Sequence, residues 1–295
     1  MTTFVGTDIG GTFTDLVGFD SERGSLVFGK HLTTTSDLVA AVMTCFDDVG
    51  LAADSVDVLK HGTTQVINTL LERRGARTAL IATQGFSDVL EIGRAGRPVA
   101  FKLNYRRDPP LVPRSLRFEL PERIAADGSV VRPLLEDDME TLVEPIASAG
   151  IEAIAISFLN AYRNSEHERR AVEFFRRRLP NCYVTSGTEL SRQWFEFERA
   201  STAVANAYVG PRTNSYVERF ESALTTAKFK GQFHIMGSNG GLLSPQRARE
   251  QPIAMIESGP IGGGVGGAAY AQALELERMI AFDMGGTTAK CALIE

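Results

Sequence analysis

The chain has little of what marks a disulfide- or metal-held protein. Three cysteines, Cys45, Cys182 and Cys291, are spread over 295 residues. An odd count, wide spacing and apolar neighbours exclude a disulfide framework and lead to an expectation of reduced, core-packed thiols in a cytoplasmic protein. No C-x-x-C or H-x-x-x-H spacing occurs, which excludes the common zinc patterns. No apolar run approaches the roughly 20 residues that cross a bilayer as a helix. Met1-Thr2-Thr3-Phe4 carries no basic region, so no signal-peptide pattern is visible. A large excess of one charge sign is absent too. A net charge of −5 argues against general nucleic-acid affinity. G-x-S-x-G and triad spacing are absent, which argues against acyl chemistry on serine. The P-loop G-x-x-x-x-G-K-[ST] is absent. With 43% hydrophobic and 23% charged residues the composition is that of a globular protein, long enough for two domains or one large one and for a sizeable core.

What the chain does have is a pair of near-identical loops. One is Asp8-Ile9-Gly10-Gly11-Thr12-Phe13-Thr14-Asp15, the other Asp283-Met284-Gly285-Gly286-Thr287-Thr288-Ala289-Lys290. Each is flanked by short apolar runs, so strand, glycine turn, strand is written twice. Glycine pairs permit positive φ and let backbone N–H groups converge on an anion. Threonines add hydroxyl donors, and the carboxylates of Asp8, Asp15 and Asp283 suit a hydrated Mg²⁺. A single D-x-G-G-T also makes an ordinary tight hairpin whose aspartates cap its own backbone. Two copies favour a pair of hairpins gripping ATP phosphates from both sides, as in the phosphate motifs of the actin/sugar-kinase/Hsp70 ATPase superfamily, which these hairpins resemble. Lys290 either touches a phosphate or is a solvated strand-edge lysine.

Between the loops, strands and helices alternate, which predicts an α/β fold with a mixed sheet. Residues 3–33 read as a three-strand meander and 37–49 as a helix. Val56–Leu59 is a strand running into His61-Gly62-Thr63-Thr64, followed by a helix over 64–74. Residues 78–82 and 151–158 are buried-strand runs, and 136–149 is a helix. Residues 92–115 form an Arg/Pro-rich loop, and 116–132 a hairpin turning at Asp127-Gly128. Ser165 and Glu168 form a capping-box signature. Glu196–Val209 is helical, and Pro211 is expected to open a second helix. Gln232–Met236 is a strand, and Ser258–Gly267 a glycine-rich stretch that opens a helix.

Several side chains are candidates for chemistry. His61, Thr63 and Thr64 sit where a strand meets a helix, a crevice in which α/β sheets bind ligands; the alternative is a plain helix cap. Arg94, Arg97, Arg106 and Arg107 suit a bidentate carboxylate contact or a solvated loop. Glu198 and Thr202 share a helix face, as part of a structural Glu–Arg pair or as a cleft lining. Ser258 to Gly264 suits an anion cradle or close backbone packing.

The residues between the loops carry a closer resemblance. They include His61-Gly62-Thr63-Thr64 with Asn68-Thr69-Leu70-Leu71-Glu72-Arg73, Gly85-Phe86-Ser87-Asp88, Glu166-His167-Glu168-Arg169-Arg170, Phe197-Glu198-Arg199-Ala200-Ser201-Thr202, Ser238-Asn239-Gly240-Gly241 and Ser258-Gly259-Pro260. In this order they resemble the hydantoinase A/5-oxoprolinase family, which includes acetone and acetophenone carboxylase subunits. The resemblance implies an actin-like (ribonuclease H-like) ATPase fold, here truncated, with an N-terminal domain over 1–198 and the start of a second domain over 199–295. It implies ATP-dependent opening of a cyclic amide, with ATP, Mg²⁺ and K⁺ as candidate cofactors and a hydantoinase B-like subunit as partner, but no nucleic acid or membrane. Ketone carboxylation is the alternative, and a half-cleft without turnover a third reading. The implied phosphate residues are Asp8, Gly10, Gly11, Thr12, Thr14, Asp283, Gly285, Gly286 and Thr287; the implied substrate-side residues are His61, Thr63, Thr64 and Arg94. Many relatives have an acid where Lys290 stands. The superfamily's adenosine segment is expected beyond residue 295, in a longer protein.

Overall fold

The computed structural model describes residues 2–295 except 35–36, 97–98, 100, 103, 106 and 285–288. Strand alternation organises the start of the chain. β1 (Thr3–Ile9), β2 (Phe13–Asp20) and β3 (Ser25–Leu32) form an antiparallel meander. Thr3, Val5, Thr7 and Ile9 are buried on one face, so Asp8 lies on the other. α1 (Leu38–Asp48) begins where the Asp37 carboxylate accepts from the Ala40 N–H at 3.2 Å. It packs Val42, Cys45 and Phe46 against β2 and β3. Each fully buried large side chain is worth about 1.5–3 kcal/mol. β4 (Val58–Thr63) then pairs in parallel with β1, setting Thr7 beside His61 and Asp8 beside Gly62. α2 (Gln65–Leu71) follows.

The chain divides into two compact units, residues 1–71 with 213–295, and residues 72–212. The second unit is built on β5 (Thr78–Thr83), whose six residues are all buried. A short helix α3 (Val89–Ile92) follows, and no helix or strand forms among the described residues between Gly93 and Pro113. The hairpin expected over 116–132 is divided. β6 (Arg117–Leu120) pairs in parallel with β5, and only β7 (Arg123–Ile124) and β8 (Val130–Arg132) pair around the Asp127-Gly128 turn. α4 (Glu136–Ser148) leads to β9 (Ala153–Ser157), α5 (Glu166–Arg178), β10 (Tyr183–Ser186) and α6 (Gly187–Leu190). The parallel sheet has the order β10-β9-β5-β6. Its central strands β9 and β5 are buried at every position because both faces are covered.

Two local expectations give way to tertiary structure here. Ser165 makes no capping hydrogen bond, because Glu168 turns inward. Its carboxylate accepts from the Phe158 and Thr188 N–H groups, both at 2.9 Å, and from the Thr188 hydroxyl at 2.5 Å. Pro211 does not open a new helix but lies inside one continuous helix, α7 (Glu196–Thr226). The division between the units falls within that helix.

The rest of the chain returns to the first unit. β11 (Gln232–Met236) pairs in parallel with β4, and β12 (Leu242–Leu243) antiparallel with β11. The mixed sheet has the order β12-β11-β4-β1-β2-β3, as the α/β reading required. α8 (Pro245–Glu250) and α9 (Ser258–Ala273) precede β13 (Met279–Met284) and β14 (Ala289–Ile294), an antiparallel pair. The glycine-rich stretch from Ser258 is itself helical. A Cβ at Gly267 would lie 2.8 Å from the Ile294 side chain and 3.0 Å from Ala281, so glycine lets α9 pack closely on β13 and β14.

Candidate functional site

The first loop is the turn between β1 and β2. Gly10 N–H donates to Phe13 O at 2.9 Å, and the Thr33 hydroxyl donates to Gly10 O at 3.0 Å, clamping the turn from the next strand. Asp8 and Asp15 are register partners across this hairpin. β13 and β14 are likewise antiparallel, with Asp283 opposite Lys290. Gly285, Gly286 and Thr287, assigned to phosphate from the sequence, lie outside the described residues.

Within the first unit a cavity of about 420 Å³ opens between these hairpins. Asp8, Gly10, Gly11, Thr12, Asp15 and Asp283 line it together, as do Thr64 and Asn68 from the start of α2. Three carboxylates thus face one space. Burial, then the charges of Asp15 and Asp283, push the Asp8 carboxyl up to about 6. Solvent still reaches Asp8. Gly62 makes room for it, since a Cβ there would stand 2.7 Å from Asp8 Oδ1.

Other expected residues are placed differently. Thr14 is fully buried, with its hydroxyl 3.1 Å from that of Thr33. His61 is fully buried beneath the strand, its Nδ1 2.8 Å from the Thr7 hydroxyl and its Nε2 2.5 Å from the Tyr216 hydroxyl. The Phe220 ring lies 4.8 Å away. Burial pushes the imidazole down to about 3, so it is neutral, and burial drives the Tyr216 phenol well above its usual range. Thr63 is buried; its N–H donates to the Ser258 hydroxyl at 3.2 Å, and that hydroxyl donates back to Thr63 O at 2.7 Å. The Thr64 hydroxyl donates to Ile9 O at 3.2 Å and accepts from the Asn68 amide at 3.2 Å. Of the four substrate-side residues, only Thr64 lines this cavity.

Arg94 belongs to the second unit. Its guanidinium bonds Glu198 and lies 3.7 Å over the Phe195 ring. Arg107 donates to the carbonyls of Ile92 and Gly96. Arg97 and Arg106 lie outside the described residues.

Two lysines enter the cavity wall. Lys30 bonds Asp15 at 2.6 Å, and Lys290 bonds Glu257 at 2.6 Å. Lys30 was not singled out from the sequence, yet the hairpin register signals it. A turn over residues 21–24 sets Asp15 opposite Lys30. Glu257 has no such signal, because only the folded chain brings it to β14.

The fold defines a mixed α/β protein with two hairpins bordering one cavity, and comparison with known proteins gives its family. Residues 4–179 match the hydantoinase/oxoprolinase N-terminal region and residues 199–295 match hydantoinase/oxoprolinase. The chain belongs to the hydantoinase/oxoprolinase family. It is similar to a nucleotide-free acetone carboxylase structure, titled as ATP-dependent acetone carboxylation, with a TM-score of 0.87 at 27% identity over 99% of this chain and 43% of that one. It is also similar to the ATP-dependent caprolactamase structure from Pseudomonas jessenii, with a TM-score of 0.85 at 32% identity over 98% of this chain and 43% of that one. The acetophenone carboxylase gamma subunit of Aromatoleum aromaticum is 32% identical over 97% of this chain and 42% of its own length. The chain therefore spans less than half the length of these relatives.

Proposed function

We propose that the first unit's cavity holds the phosphates of MgATP, and that the whole protein uses them to open a cyclic amide of the 5-oxoproline, hydantoin or lactam type. The carrying observation is that both hairpins deliver Asp8, Asp15 and Asp283, with Gly10, Gly11 and Thr12, to one cavity. An unstrained lactam is a poor electrophile. Transfer of the γ-phosphoryl group to the ring carbonyl oxygen forms a P–O bond and expels ADP. Water then adds to the carbon and the C–N bond breaks to free the amine, leaving an acyl phosphate; a second water attacks the same carbon, and phosphate leaves with the original carbonyl oxygen. The chain's own part is positioning and charge neutralisation. Gly10, Gly11 and Thr12 present donors to phosphate oxygens. Neutral His61 is a positioning residue that fixes Thr7, next to Asp8, against Tyr216.

The carboxylates suit Mg²⁺. Among the described residues no group of three or more acidic, His or Cys side chains is placed to hold an ion directly, so in this reading the ion is held largely through water and phosphate. Asp8, Asp15 and Asp283 would hold it, and when bound it neutralises phosphate charge.

A carboxylase reading, with a ketone as acceptor, is supported by the likeness to acetone carboxylase, whose TM-score is close to that of caprolactamase. The relatives named as subunits support a hetero-oligomer with a hydantoinase B-like partner. No helix among the described residues is long and apolar enough to cross a membrane. A cytoplasmic setting remains part of the proposal.

The test is ADP release by the full natural chain with its partner subunit. Stimulation by 5-oxoproline, hydantoin or caprolactam supports amide opening. Stimulation only by acetone or acetophenone with bicarbonate supports the second reading. No ADP release with any of them contradicts both.

A further inference from the structure

The two hairpins match in register but not in charge. Asp15 stands opposite Asp8 in the first, and Lys290 stands opposite Asp283 in the second, at the same offset from the glycine pair. Lys290 is held by the Glu257 carboxylate at 2.6 Å, both side chains are partly exposed, and both line the 420 Å³ cavity. Glu257 immediately precedes α9, whose first residues, Gly259 and Pro260, line the same cavity, and its side chain makes no capping bond to that helix. A carboxylate thus sits where a lysine and a helix start both favour an anion.

Resting on the nucleotide reading above, we propose that Glu257 is a resident stand-in for phosphate: when MgATP enters, Lys290 leaves Glu257 and bonds a phosphate oxygen, making Lys290 the cationic phosphate contact of the second hairpin. The first hairpin differs. Lys30 is committed to its cross-strand partner Asp15 and rests 4.7 Å over the Phe13 ring. The first hairpin then offers carboxylates to the metal, and the second adds to its own Asp283 carboxylate a lysine for the phosphate.

The exchange predicts opposite effects from its two partners. In the full natural chain, titrated calorimetrically with the Mg²⁺ complex of a non-hydrolysable ATP analogue, Lys290→Met weakens binding about tenfold, the size expected for one charge-assisted hydrogen bond. Lys290→Arg restores part of that loss. Glu257→Gln removes the competitor and tightens binding. The double variant binds like Lys290→Met, because freeing a lysine that is gone changes nothing. Unfolding midpoints of the variants report whether folding is intact. The proposal is overturned if Lys290→Met binds the analogue as wild type does, or if Glu257→Gln weakens binding as much as Lys290→Met, which would make the pair a structural prop. Wild type that fails to bind the analogue overturns the nucleotide reading and this inference with it. Wild-type binding with unaltered variants overturns this inference alone.

Discussion

Replacing Asp8 with Asn tests whether the cavity stores unfavourable charge. Asp8 shares its space with Asp15 and Asp283, and its carboxyl is raised from the ordinary 3.8 to about 6. A folded state that holds the proton more tightly than the unfolded chain is relatively most stable below about pH 4. That advantage is lost as pH rises from about 4 to about 6, and above 6 the full cost of the charged Asp8 is present. For an enclosed carboxylate such a rise would amount to about 3 kcal/mol. Asp8 is open to solvent through the cavity mouth, and screening reduces the figure to about 1 kcal/mol. Asp8→Asn removes the charge and keeps the shape. The expected result, in urea unfolding of the ligand-free full chain, is a variant about 1 kcal/mol more stable than wild type at pH 7.5. The two converge near pH 4. With MgATP present the order reverses, because only wild type gains stability from the ligand. A variant less stable than wild type at pH 7.5 without ligand would refute the reasoning.

Two further perturbations separate the site from the scaffold. Gly62→Ala drives a methyl group towards Asp8 Oδ1, which lies 2.7 Å from the added carbon. It should weaken MgATP binding about tenfold in calorimetry while all three carboxylates remain, and unchanged binding would mean that Asp8's position is unimportant. Glu168→Ala leaves the Phe158 and Thr188 N–H groups without their acceptor and the buried Arg199 without its nearest counter-charge. It should cost about 3–5 kcal/mol in unfolding experiments, and a loss below about 1 kcal/mol would show that the network is not structural.

The sequence reveals the site's frame more readily than its occupants. Gly10-Gly11 between alternating strands makes the first hairpin readable, and unbroken apolar runs mark β5 and β9 because both faces of that sheet are covered. Pro211 misleads because its local cost is outweighed. Buried Ala203, Val204 and Ala207 on one side and Tyr216, Val217 and Phe220 on the other hold α7 helical through it. Glu168 misleads in the same way, since a buried set of donors outcompetes a surface cap. Glycines from Gly259 to Gly267 look like a loop, yet all lie within α9, and Gly267 lets that helix pack closely against β13 and β14. His61 is conspicuous in the sequence, but only the fold shows both ring nitrogens engaged in the core. The Lys290–Glu257 pair spans 33 residues and follows no local pattern.

The measurement that bears most directly on the central claim follows one oxygen atom. The full protein with its partner subunit is incubated with MgATP and whichever cyclic amide stimulates ADP release, labelled with ¹⁸O at the ring carbonyl. Phosphoryl activation of that oxygen predicts ¹⁸O in the released inorganic phosphate. Phosphate free of the label, with the ring opened and ATP consumed, would contradict it.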